Sequence, residues 1–243
     1  MKTRTLLLGA FTLGISLGFF SACDNNNNNN KPENTVTPEA TAKLDMTAPK
    51  MEANMDGLVS LEDCPMSNPH LAVTVSEDFT TAHIIYDGKE IQTVKDEDFE
   101  LASDAAPIHF LDANFDGYTD IFIGTGQSRT ANSLFVWNEK SQKFDRVEGS
   151  ALQGVMLEPK TKSFVMGGSN SASEFYITRS LWNGIKLDIR EQLSIITSPD
   201  EYANNNVEHM YTVKSSDDNV LCSSETIDGL PKIWQNYVKA YGF

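Results

Sequence analysis

The chain has 243 residues, with 34 acidic against 19 basic side chains and a formal charge of −15. That balance excludes the basic patch on which nucleic-acid recognition depends, and the cationic amphipathic helix that would lie on an anionic membrane. It suits a basic partner, or serves only to keep the protein soluble.

Lys2 and Arg4 precede an apolar segment from Leu6 to Phe20, followed by Ser21, Ala22 and Cys23. Residues 1–22 therefore read as a secretory signal, too short and too early for a membrane-spanning helix. Small residues directly before a cysteine resemble a bacterial lipobox, at which Cys23 would become the first mature residue and carry acyl chains. Each buried CH₂ contributes about 0.8 kcal/mol, so several chains make a stable membrane anchor. The alternative is that Cys23 is an ordinary residue behind a signal-peptidase site, leaving the protein free in the periplasm. Removing Lys2 and Arg4 with the signal takes the formal charge from −15 to −17.

Residues 23–57 are dominated by Asn, Pro, Thr, Glu, Lys and Ala, and open with six asparagines from Asn25 to Asn30. Such a segment buries too little apolar surface to offset its ordering entropy. It reads as a flexible tether with a reach on the order of 30–35 Å, serving either as a stalk or as mere spacing. Residues 58–243 suffice for one folded domain.

Period-two alternation runs through that domain. Leu71, Val73 and Val75 begin it, and Ile84 to Tyr86 pairs with Lys89 to Thr93 across Asp87-Gly88, a two-residue hairpin signal. Leu134 to Trp137 and Lys143 to Val147 predict a second hairpin. Tyr176 to Trp182 and Ile185 to Arg190, joined at Asn183-Gly184, predict a third. Further strands are expected at Ser163 to Met166, His209 to Lys214 and Asn219 to Cys222. Near the C-terminus Pro231 stands at a first-turn position, and Ile233, Trp234, Tyr237, Val238 and Tyr241 recur at helical spacing. The helix they predict would lay an aromatic stripe on the sheet or, alternatively, present it to a partner.

The sharpest motif lies between two short β-prone runs, Ile108 to Leu111 and Ile121 to Ile123. Asp112, Asn114, Asp116 and Asp120 place oxygen donors at positions one, three, five and nine of a loop, with the Tyr118 carbonyl at seven. This spacing suits Ca²⁺, which takes six to eight oxygens at about 2.3–2.6 Å. Gly117 occupies position six, where the sharp reversal calls for positive φ. An EF-hand would need a bidentate Glu at position twelve and flanking helices; here that position is Ile123 and the flanks are strands. The alternative is an Asp/Asn/Gly-rich turn that binds nothing.

Asp112 to Tyr118, Phe135 to Asn138 with Phe144, Gly167-Gly168, and Ser180 to Gly184 together resemble a family of small bacterial envelope proteins. These carry a single FG-GAP/VCBS-like calcium loop. The resemblance implies an all-β, antiparallel, incomplete β-propeller-like fold with one C-terminal helix. It also implies a binding role, since some members inhibit lysozyme-like peptidoglycan hydrolases, enzymes that are commonly basic. Where that family usually has Tyr-Arg-Trp, this chain has Ser180-Leu181-Trp182.

An inhibitor would insert a loop into the hydrolase cleft. The candidate is Gly167 to Tyr176, with Glu174 to pair with basic residues and Phe175 or Tyr176 as the buried aromatic anchor; the alternative is a hairpin end with no partner. Two other functions stay open, a surface glycan-capture or adhesion module and a structural envelope lipoprotein.

With Cys23 lipidated, Cys64 and Cys222 remain. In an oxidising compartment two cysteines read as one disulfide, closing a loop worth roughly 4–5 kcal/mol by chain entropy; the alternative is two free thiols. No nucleophile elbow, zinc-protease or phosphate-loop motif is present in the sequence. His70, His83, His109 and His209 are scattered and read as surface or core residues. The expectation is a monomeric, membrane-anchored, calcium-binding protein without catalytic activity.

Overall fold

The computed structural model describes residues 43–77, 80–95, 107–124, 132–148, 152–198 and 209–243, all within the unit Lys43–Phe243. The predicted signal, Cys23 and the predicted tether up to residue 42 lie outside the described residues. Among the described residues no helix is long and apolar enough to cross a membrane.

The strands are β1 (Val59–Ser60), β2 (Leu71–Val75), β3 (Thr81–Tyr86), β4 (Lys89–Lys95), β5 (Ile108–Leu111), β6 (Asp120–Ile123) and β7 (Ser133–Asn138). They continue as β8 (Lys143–Arg146), β9 (Met156–Glu158), β10 (Ser163–Ser171), β11 (Glu174–Asn183), β12 (Lys186–Thr197), β13 (His209–Ser215) and β14 (Val220–Ser224). One helix, α1 (Lys232–Ala240), follows them, with Pro231 as its N-cap. Every ladder is antiparallel, in a three-stranded sheet β2-β3-β4, a four-stranded sheet β5-β6-β7-β8 and a seven-stranded sheet β1-β9-β10-β11-β12-β13-β14. The fold is all-β, with a single α-helix, near the C-terminus, among the described residues.

Turn chemistry sets the registers. Asp87 and Gly88 have φ of 47° and 78°, the double positive φ of a type I′ turn, whose twist matches its strands. The β11–β12 turn sits one residue later than the Asn-Gly signal suggests. Asn183 pairs with Lys186, so the loop is Gly184-Ile185, with Gly184 at φ 64°. Glycine at the first loop position is the requirement of a type II′ turn, and it overrides the dipeptide preference.

The sheets stack face to face. On the four-stranded sheet Phe110, Ile121, Ile123, Phe135 and Trp137 point toward the three-stranded sheet, packing with Ala82 and Ile84. Leu111, Phe122, Leu134 and Val136 point the other way, onto Leu157 and Phe164 of the seven-stranded sheet. Burial on both faces explains why Ile121 to Ile123 and Leu134 to Trp137 are continuous apolar runs, not alternating ones. Across the seven-stranded sheet Val165, Ile177, Leu193, Ile195 and Tyr211 meet Trp234, Tyr237 and Val238 of α1. The predicted aromatic stripe therefore packs on its own domain. A side-chain amide completes the contact between two sheet edges: Gln92 on β4 accepts from the Phe144 N–H at 2.8 Å and donates to the Phe144 carbonyl at 2.9 Å.

The composition predicts a tether as far as Gly57, and here the structure differs. Met46 is 2% exposed and packs in the core between the two smaller sheets. Its neighbours pair with the loop after β5, through Thr119 N–H to the Met46 carbonyl at 2.7 Å and Ala48 N–H to the Gly117 carbonyl at 3.0 Å. Folded chain therefore begins by Lys43. The alternation of Leu44 and Met46, both facing that core, is the signal that averaging over a polar segment conceals.

The expected disulfide is absent. Cys64 and Cys222 are both free thiols. Cys64 follows β1 and is buried with Leu157 and Phe164, whereas Cys222 lies on β14, at the opposite edge of the same sheet, and packs toward α1. Flanking the fold in sequence does not bring two residues within the approximately 4.4–6.8 Å between Cα atoms that a disulfide spans.

Candidate metal centre and binding surface

The motif Asp112 to Asp120 forms the connection from β5 to β6. Gly117 takes φ 88°, as its position in the loop predicts, and Phe115 also enters the left-handed region at φ 61°. An aromatic residue rarely adopts that conformation, and its cost must be met by surrounding structure. Phe115 packs against the core on its inner side.

Asp112, Asn114 and Asp116 turn into the loop. Asp112 accepts from Asp116 N–H at 2.9 Å with one oxygen and from Gly117 N–H at 3.0 Å with the other. Asn114 Oδ1 accepts from Asp116 N–H at 3.1 Å, and its amide donates to Asp116 at 2.8 Å. Asp116 accepts from Tyr118 N–H at 2.9 Å. Tyr118 itself is bridged to Thr47 of the N-terminal segment.

Asp120 is placed differently. It is fully buried beneath the loop, where one oxygen accepts from Ala113 N–H at 2.8 Å and the other from Trp137 N–H at 2.9 Å. It fastens the loop to β7. The loop is held on its other side by Trp182 of β11, whose indole N–H donates to the Ala113 carbonyl at 2.8 Å, and by Lys162, which donates to the Phe115 carbonyl at 3.3 Å.

Burial raises the Asp120 carboxyl pKa well above its ordinary range, and the neighbouring Asp116 and Asp112 charges push the same way. Burial likewise raises Asp112, with Asp116 adding to it while backbone N–H donors oppose the rise. These oxygens are all hard donors, and their mutual repulsion is what a bound cation relieves. No group of three or more His, Cys, Asp or Glu side chains forms a metal cage among the described residues. A cation here would rest on Asp112 and Asp116 with Asn114 and main-chain oxygen.

The Gly167 to Tyr176 segment is not an exposed loop. It forms a continuous hairpin in which β10 runs through Ser171 and β11 starts at Glu174. Gly167 and Gly168 are buried within the ladder. A Cβ on Gly167 would lie 2.6 Å from the Tyr241 ring, and one on Gly168 would lie 2.7 Å from the Tyr176 hydroxyl. These glycines therefore make room for aromatic rings instead of supplying flexibility.

Glu174, Phe175 and Tyr176 are half-buried. Phe175 packs against Tyr241 and Phe243 near the C-terminus. Glu174 accepts from Ser194 at 3.4 Å. The exposed part of the hairpin is Ser169 to Ala172. Of the histidines, His109 is buried with its ring 3.2 Å from the Cys64 carbonyl, a satisfied core residue.

The class defined so far is an all-β protein of stacked antiparallel sheets, with an oxygen-rich loop at the junction of two of them. No protein-family model matches the chain, and no curated protein matches it. Among solved structures it is similar to a Xanthomonas protein described as type IV secretion system related, at 9% identity and a TM-score of 0.41, over 74% of this chain and 99% of the other. That likeness carries no argument about function.

Proposed function

We propose that the chain is a calcium-stabilised envelope lipoprotein, anchored through Cys23, that acts by binding and not by catalysis. The observation that supports it is the convergence of Asp112, Asn114 and Asp116 within one loop, joined by Trp182 to the hairpin strand β11. Asp112, Asn114, Asp116 and the Tyr118 carbonyl would hold Ca²⁺, with Asp120 supporting the loop from below. A cation bound only by the folded state adds about 2.7 kcal/mol of stability at one hundred times its dissociation constant.

The partner we propose is a basic, lysozyme-like peptidoglycan hydrolase. This rests on the resemblance of the calcium loop and the Ser180 to Gly184 segment to envelope proteins of that kind, and on the net acidity of the chain. The hairpin end beside Glu174, Phe175 and Tyr176 would enter the cleft. The test is inhibition of a panel of goose-, chicken- and invertebrate-type lysozymes and bacterial lytic enzymes, with calcium and with chelator. Calcium-dependent inhibition of one class is expected, weakened by more than about tenfold when Phe175 and Tyr176 are both alanine. Absence of inhibition across the panel would remove the hydrolase from the reading while leaving calcium binding to be measured separately.

A further inference from the structure

We propose that the face of the seven-stranded sheet turned away from α1 carries a binding groove for an uncharged oligosaccharide. At its centre is a cavity of about 380 Å³, within the range of roughly 300–1,000 Å³ that small-ligand sites occupy. It continues at one end, through Ile189 and Gln192, into a cavity of about 510 Å³. At the other end, through Gln153 and Asn170, it continues into one of about 810 Å³. Three adjoining cavities suit a chain of sugar units better than a compact metabolite; the charged side chains Glu174, Lys214 and Asp218 line only the one of about 510 Å³, away from the centre.

The chemistry of the central cavity is neutral. Gln153, Asn170 and Gln192 supply carboxamides that both donate and accept, Tyr176 supplies a phenol, and Met166 and Ile189 supply apolar surface. In a chain with 34 acidic residues, a recess lined without a carboxylate or an ammonium group selects against ionic ligands of either sign. Sugars present the matching combination, hydroxyls at the edge of the ring and C–H groups on its face.

Two details point to a ligand in particular. Thr178 lines the cavity at 5% exposure, and among the described residues its hydroxyl has no hydrogen-bond partner. A buried hydroxyl left unsatisfied is costly, and an entering sugar hydroxyl would relieve that cost. Gly168 pairs with Tyr176 across the ladder, and the tyrosine lies close over it, occupying the space a Cβ would fill. The missing Cβ thus leaves room for the phenol end of Tyr176, which lines the cavity and would offer its ring and hydroxyl to a sugar.

The site does not depend on the hydrolase reading. The test is calorimetric titration of the full chain with tri-N-acetylchitotriose and maltotriose, both neutral, and with trigalacturonate as the anionic control. At least one neutral trisaccharide is expected to bind with a Kd of about 1 mM or tighter, and the anionic one not to bind. Tyr176→Ala is expected to weaken binding about tenfold or more. Thr178→Val keeps the side-chain shape, so it should weaken binding several-fold without lowering the melting temperature. The proposal is overturned if neither neutral sugar binds, if trigalacturonate binds as tightly as they do, or if Thr178→Val and Tyr176→Ala both bind like the unsubstituted protein.

Discussion

The indole N–H of Trp182 donates to the carbonyl oxygen of Ala113 at 2.8 Å, joining β11 to the loop that carries Asp112, Asn114 and Asp116. The same ring stands edge-on to Phe164 at 5.9 Å. Order in the loop and order in the hairpin are thereby linked. Trp182→Phe keeps most of the packing and removes the donor, so it should cost about 0.5–1.5 kcal/mol. If loop order governs calcium affinity, that affinity should fall by about two- to tenfold, the same energy expressed as a ratio. Calorimetry of calcium binding beside denaturant melts checks both; a stability loss with unchanged calcium affinity would break the link.

Calcium should stabilise the protein more at pH 8 than at pH 5. Asp112 and Asp120 have folded-state pKa values above their ordinary ones, chiefly because they are buried. The stability they contribute is full below the ordinary aspartate pKa and is lost as pH rises through the raised values. A cation requires the deprotonated carboxylates, so it restores stability where the protons have left. Melting temperatures with calcium and with chelator across that range measure the difference, and a calcium shift no greater at pH 8 than at pH 5 would contradict it.

A chain beginning at Leu58 should be less stable than one beginning at Lys43. The shorter chain loses Met46 from the core together with the Thr119 and Ala48 backbone bonds. Burying one methionine contributes about 1.5–3 kcal/mol, so urea midpoints of the two chains should separate clearly.

Under native, non-reducing conditions one thiol should react and the other should not. Cys222 is half-buried, while Cys64 is buried and its thiol pKa is pushed up to about 11 by that burial. Thiolate is the reactive species. Labelling of the chain without Cys23 should therefore modify Cys222 alone until denaturant is added. Failure to label either site after denaturation would show that the two are joined after all.

Gly167→Ala should cost about 1–3 kcal/mol as overpacking, because the new methyl would stand 2.6 Å from the Tyr241 ring. Tyr241→Leu in the same chain should return part of that loss. A Gly167→Ala protein as stable as the original would mean that the ring moves aside freely.

By itself the sequence determined the all-β class, the hairpin at Asp87-Gly88, the left-handed Gly117 and the helix after Pro231, since each follows from local sterics and from the period of apolar residues. It also determined the oxygen-donor spacing from Asp112 to Asp120, which lies within one loop. Only the tertiary structure decided that Asp120 binds the backbone of β7 and that Met46 is core. It likewise decided that Gly167 and Gly168 make room for Tyr241 and Tyr176, and that Cys64 and Cys222 stand at opposite sheet edges. Each of these depends on which distant strand becomes a neighbour, and a two-residue period says which face a side chain takes without saying what will be packed against it.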